Sequence, residues 1–575
     1  MRIKTTKTNS NINYYVIKDF KINGKRTTKI IEKLGNENDI KLKFKIDNID
    51  EFLADYINNL NKKENSSRSN LMKFYNENKI IPLDTQQLFN GGYLFLQNIY
   101  YSLKINNICA RITDKYQFKY DLNNILSNLI YSRIIYPSSK FKTLDLCKNF
   151  LEQPNFEYQQ VLRALEVLNK ENDFIQSELY KNSLKYSKRN DKVLFYDCTN
   201  FYFEIENDDD YRKYGKSKEH RPNPIVGMGL FMDGDGIPLT FSTFPGNQNE
   251  QTTLKPLEEK IINDFSHSKF IVCTDAGLSS NANKKFNNTN TRKYVTTQSL
   301  KKIKSFLKDW SLDLSSGWKL YESEKKYNIS ELRNNPDLIS KFYNSIFYKE
   351  RWIKENGIEE RLIITYSPKY QEYQKKIREK QISRAIKIMN NNPNSINSKN
   401  ENDPKRFIKA ISTTNNGEVA DENHYSLNQE KIDDEAKYDG LYAVCTNLED
   451  PVNEIININK RRWEIEESFR IMKSEFNARP VYLSREDRIH AHFLICFLSL
   501  IIYRYLEKKL DEKYTSTEII DSLRNMSFTI KDNDYIPAYK RTTITDILHE
   551  TFKFRTDYEI ISQKNMKKIF NLTKK

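Results

Sequence analysis

The spacing of hydrophobic positions changes several times along the chain, and each change marks a region. Residues 1 to about 65 alternate between apolar and polar, as in "NYYVIKDFKINGKRTTKIIEKLG". The Asn-Gly pair at 23 and 24, between two strand-like runs, predicts a hairpin in a small basic β domain. From 66 to 190 the apolar residues recur at helical spacing, in "LFLQNIYYSLKI" and "DLNNILSNLIYSRIIY", with breaks at "YPSS" and "QPN". This predicts a helical domain that serves either packing or DNA contact.

From 191 to 300 the pattern turns to strands: "KVLFYDCTNFYF", "IVGMGLFMD", "IPLTFSTFPG", then a helical "TTLKPLEEKIIND" and a buried "KFIVCTD". "DGDG" at 233–236 predicts a tight turn between the second and third strands. A helix near 279–288 and a strand "KYVTTQ" follow, so the fold class is α/β with a mixed sheet. Residues 301–439 lose this rhythm. They hold Trp310, Trp318 and Trp352, a charged helix "KYQEYQKKIREKQISRAIKIM" and the low-complexity "NNNPNSINSKNEND", and read as a β-containing insertion. Residues 440–510 resume the sheet with "GLYAVCTN", then an amphipathic helix over 454–478 and an apolar helix over about 487–508. The pattern of residues 511–575 is mixed.

Length allows several domains with real cores, and charge narrows the partners. The 575 residues carry 93 Lys and Arg against 77 Asp and Glu, a net +16 with pI near 9.1. That balance favours a polyanion such as nucleic acid. Six cysteines lack any C-x-x-C pair, as expected of reduced core residues in a cytoplasmic protein. The start has no apolar signal core, and "FLICFLSLIIY" at 493–503 is too short to span a bilayer, so no membrane partner is expected.

Three carboxylates carry the candidate chemistry. Asp197 sits inside the apolar "VLFYDCTNFYF" and shares a strand face with Val193, Phe195, Thr199 and Phe201. Such a charge needs a partner, either an arginine or a metal ion. Asp275 ends the buried run "KFIVCTD", where open α/β sheets place ligands or where an Asp simply starts a turn. On the helix over 454–478, Ile465, Phe469, Met472 and Phe476 form the buried stripe, and Arg462, Glu466, Lys473 and Asn477 line its edge. Arg462 and Glu466 form either an ordinary helical ion pair or part of a site. Together the three carboxylates are able to hold two divalent ions about 4 Å apart, the arrangement used in phosphodiester chemistry. Mg²⁺ suits the oxygen ligands, with Mn²⁺ as a substitute. Arg462 and Lys473 would grip phosphate.

These segments, with "YGKSKEHRPNPIVGMGLFMDGDGIPLTFSTFPGNQNEQTTL" and "RRWEIEESFRIMKSEFNARPVYLSREDRIHAH", resemble the DDE transposases of bacterial insertion sequences, in the family-four-like group. The group's ribonuclease-H-like core is interrupted before the catalytic Glu. The resemblance spans roughly 75 to 510 and implies Asp197, Asp275 and Glu466 as the metal-binding catalytic triad. It also implies Mg²⁺-dependent cleavage of double-stranded DNA at terminal inverted repeats and joining to target DNA, by a homodimer on paired ends. In the group's Tyr-Arg-Glu-Lys signature, Arg462, Glu466 and Lys473 match, and Asn459 stands where the group has Tyr. An aromatic of the insertion stacks on a flipped base in related enzymes, which leaves Trp310, Trp318 and Trp352 as stacking or core residues. Lys216, Lys218, His220 and Arg221 form a basic loop expected to meet DNA backbone. His490 and His492 are expected to be structural. The alternatives are a ribonuclease-H-like nuclease without strand transfer, and an inactive end-binding protein.

Overall fold

The structure, a computed structural model, describes residues 1–7, 11–22, 25–46, 48–67, 80–321, 323–391, 403–412 and 423–575. Contacts divide the chain into two units, Met1–Thr85 and Gln86–Lys575. In the first, β1 (Arg2–Lys7), β2 (Ile12–Ile22) and β3 (Lys25–Asn36) form an antiparallel sheet. β2 pairs with β3 as far as Ile22 opposite Lys25, the register a hairpin requires; Asn23 and Gly24 lie outside the described residues. Two helices that alternation does not announce follow, Glu37–Phe44 and Ile49–Ser67. The first is nucleated by a reciprocal cap between Asn36 and Asp39. Val16, Leu34, Ile40, Ile49 and Leu53 form this unit's core.

The second unit opens with the short strand β4 (Phe89–Asn90) and six helices, from Tyr93–Ser102 to Asn172–Tyr186. The breaks fall where proline requires them: helix Leu122–Ile135 stops before Tyr136-Pro137, and Ser139 caps the next, Lys140–Cys147. A ten-stranded sheet follows. Its first five strands are β5 (Val193–Tyr202), β6 (Ile225–Asp233), β7 (Pro238–Pro245), β8 (Phe270–Thr274) and β9 (Arg292–Thr297). They lie in the order β7-β6-β5-β8-β9, with β5, β6 and β7 antiparallel and β5, β8 and β9 parallel. The turn at "DGDG" is built as its residues demand. Gly236 takes φ +76°, and Asp233 accepts from the amides of Asp235 and Ile237 while pairing with buried Arg189 at 2.6 Å.

Most of the insertion's strands do not form a sheet of their own beside the core. Strands β10 (Trp318–Leu320), β11 (Lys326–Tyr327), β12 (Phe347–Glu355) and β13 (Ile358–Tyr366) extend the core's sheet. The junction is β16 (Leu441–Thr446), antiparallel to β13 on one side and β9 on the other. The separate pair β14 (Ile408–Ser412) and β15 (Asn423–Leu427) belongs to the same region; most of "NNNPNSINSKNEND" lies outside the described residues. Only Trp318 of the insertion's three tryptophans is fully buried. Trp310 is half-buried beneath Lys349 and Arg351, and Trp352 is exposed.

The single helix expected over 454–478 is two, Val452–Lys460 and Trp463–Ser474, with a turn at Arg461 and Arg462. The apolar stripe survives, since Ile465, Phe469, Met472 and Phe476 are all buried. Helix Glu486–Lys509 is long and apolar enough to cross a membrane by composition alone, but 94% of its apolar window is buried inside the protein. It joins the helical region, the sheet and helix Trp463–Ser474 in one hydrophobic core. The C-terminal residues also have structure: β17 (Ser527–Lys531) pairs with β4 and with β18 (Asp534–Pro537), and Phe552 and Phe554 pack on Phe95.

Candidate functional site

The sheet's register brings two carboxylates together. β5 and β8 are paired in parallel up to Phe195 opposite Cys273, and Asp197 and Asp275 each lie two residues further on. Side chains alternate along a strand, so the aspartates share a face with Phe195 and Cys273. That face packs on the large core containing Ile465, Phe469 and Met472, whereas Tyr196, Cys198 and Val272 point into the core on the other face. Helix Trp463–Ser474 therefore covers the side of the sheet on which both aspartates stand.

Asp197 accepts a hydrogen bond from the Cys198 amide at 2.8 Å, and Asp275 from the Leu278 amide at 3.0 Å. Among the described residues neither makes an ion pair within 4 Å, so the buried arginine partner considered for Asp197 is not there. Burial pushes the Asp197 carboxyl up to about 6; Lys218 and Arg462 pull it down, and the Asp275 charge adds to the rise.

Glu466 is placed differently. Its carboxylate is exposed and pairs with Arg462 at 2.9 Å. Arg462 in turn lies in the field of Glu466, Asp197 and Asp275 together, so one guanidinium serves all three acids. In this arrangement no three His, Cys, Asp or Glu side chains converge on one point among the described residues. The donor set nonetheless fits a hard cation. Two side-by-side carboxylates that make no ion pair within 4 Å suit Mg²⁺, which binds through one or two carboxylates and completes its shell with water and phosphate. Glu466 would have to leave Arg462, its partner at 2.9 Å, to join such a set.

The basic residues fall into two groups. Lys473 is largely buried, lies over the Phe201 ring at 5.6 Å and pairs with Glu219 at 3.1 Å. Burial and neighbouring Lys218 bring its ammonium down to about 8, partly offset by Asp197. The loop holding Lys216, Lys218, His220 and Arg221 is pinned to β5 by Asn200, which bonds the Lys216 carbonyl at 3.1 Å and the Lys218 amide at 3.2 Å. Lys218 contacts the Cys198 carbonyl and pairs with Glu250 at 3.2 Å; Lys216 and Arg221 are exposed, the latter 4.4 Å from the Tyr202 ring.

Asn459 is buried and donates to the Tyr442 hydroxyl at 2.9 Å, which also meets Thr297 at 2.7 Å. An aromatic hydroxyl thus reaches this spot from β16. Tyr442, Tyr370, Tyr373 and Trp463 line a cavity of about 550 Å³ that also touches Arg462 and Glu466. Trp463 is 60% exposed and was not singled out by the pattern; its adjacency to Arg462 was the available signal. Both histidines of "RIHAH" have local partners: His490 meets Thr243 at 2.7 Å, and His492 meets the Ala478 carbonyl at 3.1 Å.

A strand order of β7-β6-β5-β8-β9, with acidic residues just beyond β5 and β8 and on the covering helix, defines a mixed α/β protein of the ribonuclease-H-like class. The chain belongs to the transposase DDE domain family, whose model matches residues 188–502. No curated protein matches it. Among solved structures it is similar to a piggyBac transposase in a synaptic complex with hairpin DNA, at 8% identity and a TM-score of 0.34, over 84% of each chain.

Proposed function

We propose that this protein is the transposase of an insertion sequence, cleaving DNA at the element's ends with Mg²⁺ and joining the 3′-hydroxyls to target DNA. The observation that carries the reading is the pair Asp197 and Asp275, side by side on adjacent strands with no ion pair within 4 Å among the described residues, inside the region matched by the family. Asp197, Asp275 and Glu466 would hold the divalent ions. Ions held there would supply activation of the attacking oxygen and stabilisation of the leaving one.

The chain's own residues supply position and charge. Arg462 balances the three acids before the ions arrive and is free to turn to a phosphate once they do. Lys473, held over Phe201, and the loop of Lys216, Lys218 and Arg221 flank the same carboxylates and suit a DNA backbone. Two element ends must be joined in one reaction, which calls for a homodimer on DNA. Six buried free thiols suit the reducing cytoplasm, where the element's DNA lies.

The test is a Mg²⁺-dependent assay on a labelled duplex made from the DNA flanking the gene, with a supercoiled plasmid as target. Cleavage plus joined products supports the proposal. Cleavage without joining identifies a nuclease, and binding without cleavage an end-binding protein.

A further inference from the structure

The segment that follows the Glu466 helix, residues 477–483, lines a second cavity of about 590 Å³ together with the helical region. Arg133, Lys140, Arg479 and His492 face it, with Phe141 and Tyr482, both about two-thirds exposed, among its lining residues. Two of these cations are deeply buried: Arg133 is 4% and Lys140 5% exposed. Among the described residues no carboxylate lies within ion-pair distance of either.

Their hydrogen bonds leave the positive charge unanswered. The Lys140 ammonium meets His492 Nδ1 at 3.4 Å, while His492 Nε2 faces the Ala478 carbonyl at 3.1 Å. A ring that donates through Nε2 and accepts through Nδ1 is neutral, so it brings Lys140 no counter-charge. Arg133 donates to the carbonyls of Phe476 at 3.1 Å and Ser138 at 3.0 Å, and its Nε has no partner. Burial, with Arg133 adding to it, holds the Lys140 ammonium well below the usual lysine value, and an anion in the cavity would reverse that. Buried cations without a counter-charge are unfavourable, and a cavity that retains two is organised for an anion.

The cavity also lies in line with the carboxylate site. Glu219 contacts both Lys473 and Arg479, and Arg479 and Arg221 share the Tyr202 ring at 5.7 and 4.4 Å. A row of cations thus runs from Asp197 through Lys473 to Arg479, which itself lines the cavity. We propose that this cavity binds one backbone phosphodiester of the DNA strand leaving the carboxylate site, with Arg133 and Lys140 as its donors. The assignment rests on the DNA-processing reading above. The exposed rings of Phe141 and Tyr482 suit the flanking sugar or base, which a free phosphate would not use.

The test uses the full chain in EDTA, so that no strand is cut, and a fluorescein-labelled duplex of the flanking DNA. Binding is followed by anisotropy between roughly 50 and 300 mM NaCl, where log affinity falls linearly with log salt. Lys140→Met is expected to weaken binding and flatten that slope by about 0.9, the contribution of one phosphate contact. Circular dichroism checks folding, and Lys140→Gln replaces Lys140→Met if the latter is unfolded. A folded variant with the wild-type slope overturns the proposal. So does a melting-temperature rise from inorganic phosphate alone that Lys140→Met abolishes while leaving the DNA slope unchanged, since that marks a free-anion site. If the wild type does not bind the duplex at all, the DNA reading itself fails. If it binds and only the Lys140 slope is unaltered, the phosphate assignment alone fails.

Discussion

Replacing Asp197 by Asn removes a charge that the fold holds at a disadvantage. Its carboxyl rises from 3.8 to about 6, chiefly by burial. The folded chain therefore binds this proton more tightly than the unfolded chain does. The penalty is absent below the unfolded value and complete above about 6. A rise of that size corresponds to roughly 3 kcal/mol at neutral pH as a ceiling. Solvent reaches the half-buried group, so about 1–3 kcal/mol is the working range, or roughly 1–3 °C in melting temperature for a unit of this size. In EDTA, Asp197→Asn should melt above the wild type at about pH 8, with the difference fading as pH falls through 6 and gone near 4. Mg²⁺ should raise the melting temperature of the wild type but not of the variant, because bound cation stabilises only the state that binds it. Protons compete for the same oxygen, so apparent Mg²⁺ affinity should fall about tenfold per pH unit below 6. Equal melting of both proteins at pH 8 in EDTA would mean that the buried Asp197 charge costs the fold nothing, and an equal Mg²⁺ shift in both that Asp197 does not hold the ion.

Other parts of the structure give separate expectations. Arg462→Gln removes the cation that balances Glu466, Asp197 and Asp275; Mg²⁺ should bind more tightly in a melting titration while DNA cleavage falls. Trp318→Ala should lower stability by about 3–5 kcal/mol in denaturant unfolding, and exposed Trp352→Ala by no more than about 0.5. Glu360→Ala strands buried Lys284, to which Glu360 binds at 2.8 and 2.9 Å, and should lose about 3–5 kcal/mol by the same measurement. All six thiols are buried, and burial pushes those of Cys109, Cys147, Cys198 and Cys273 up to about 12. A thiol reagent should accordingly label none in the native protein and all six after denaturation.

The legible parts of the sequence were those fixed by short-range pattern. Buried strands announce themselves as apolar runs, and the polar residue that interrupts or ends such a run, Asp197 or Asp275, is visible without knowing its neighbour. What brings the two together is the parallel pairing of β5 with β8, across two strands, a helix and 78 residues (Phe195 to Cys273), which periodicity does not encode. The break at Arg461 and Arg462 was hidden because neither glycine nor proline stands there to announce it. It matters to the site, for Arg462 becomes the residue before the Glu466 helix, pairs with Glu466 and lies in the field of both aspartates. The insertion's strands are short, and their place at the edge of the main sheet depends on β16, far along the chain. Arg133 and Lys140 were equally hidden. Each sits in an unremarkable helical stretch, and the absence of a counter-charge shows only when His492 and residues 477–483 are folded against them.

The most direct test of the central claim is the rate of Mg²⁺-dependent strand cleavage on the flanking-DNA duplex by Asp197→Asn, Asp275→Asn and Glu466→Gln, each first shown to be folded and to bind the duplex. Each single change is expected to reduce cleavage by at least about a hundredfold, as when a ligand of catalytic metal ions is lost, with binding retained. Wild-type cleavage by any one of the three variants would contradict the claim.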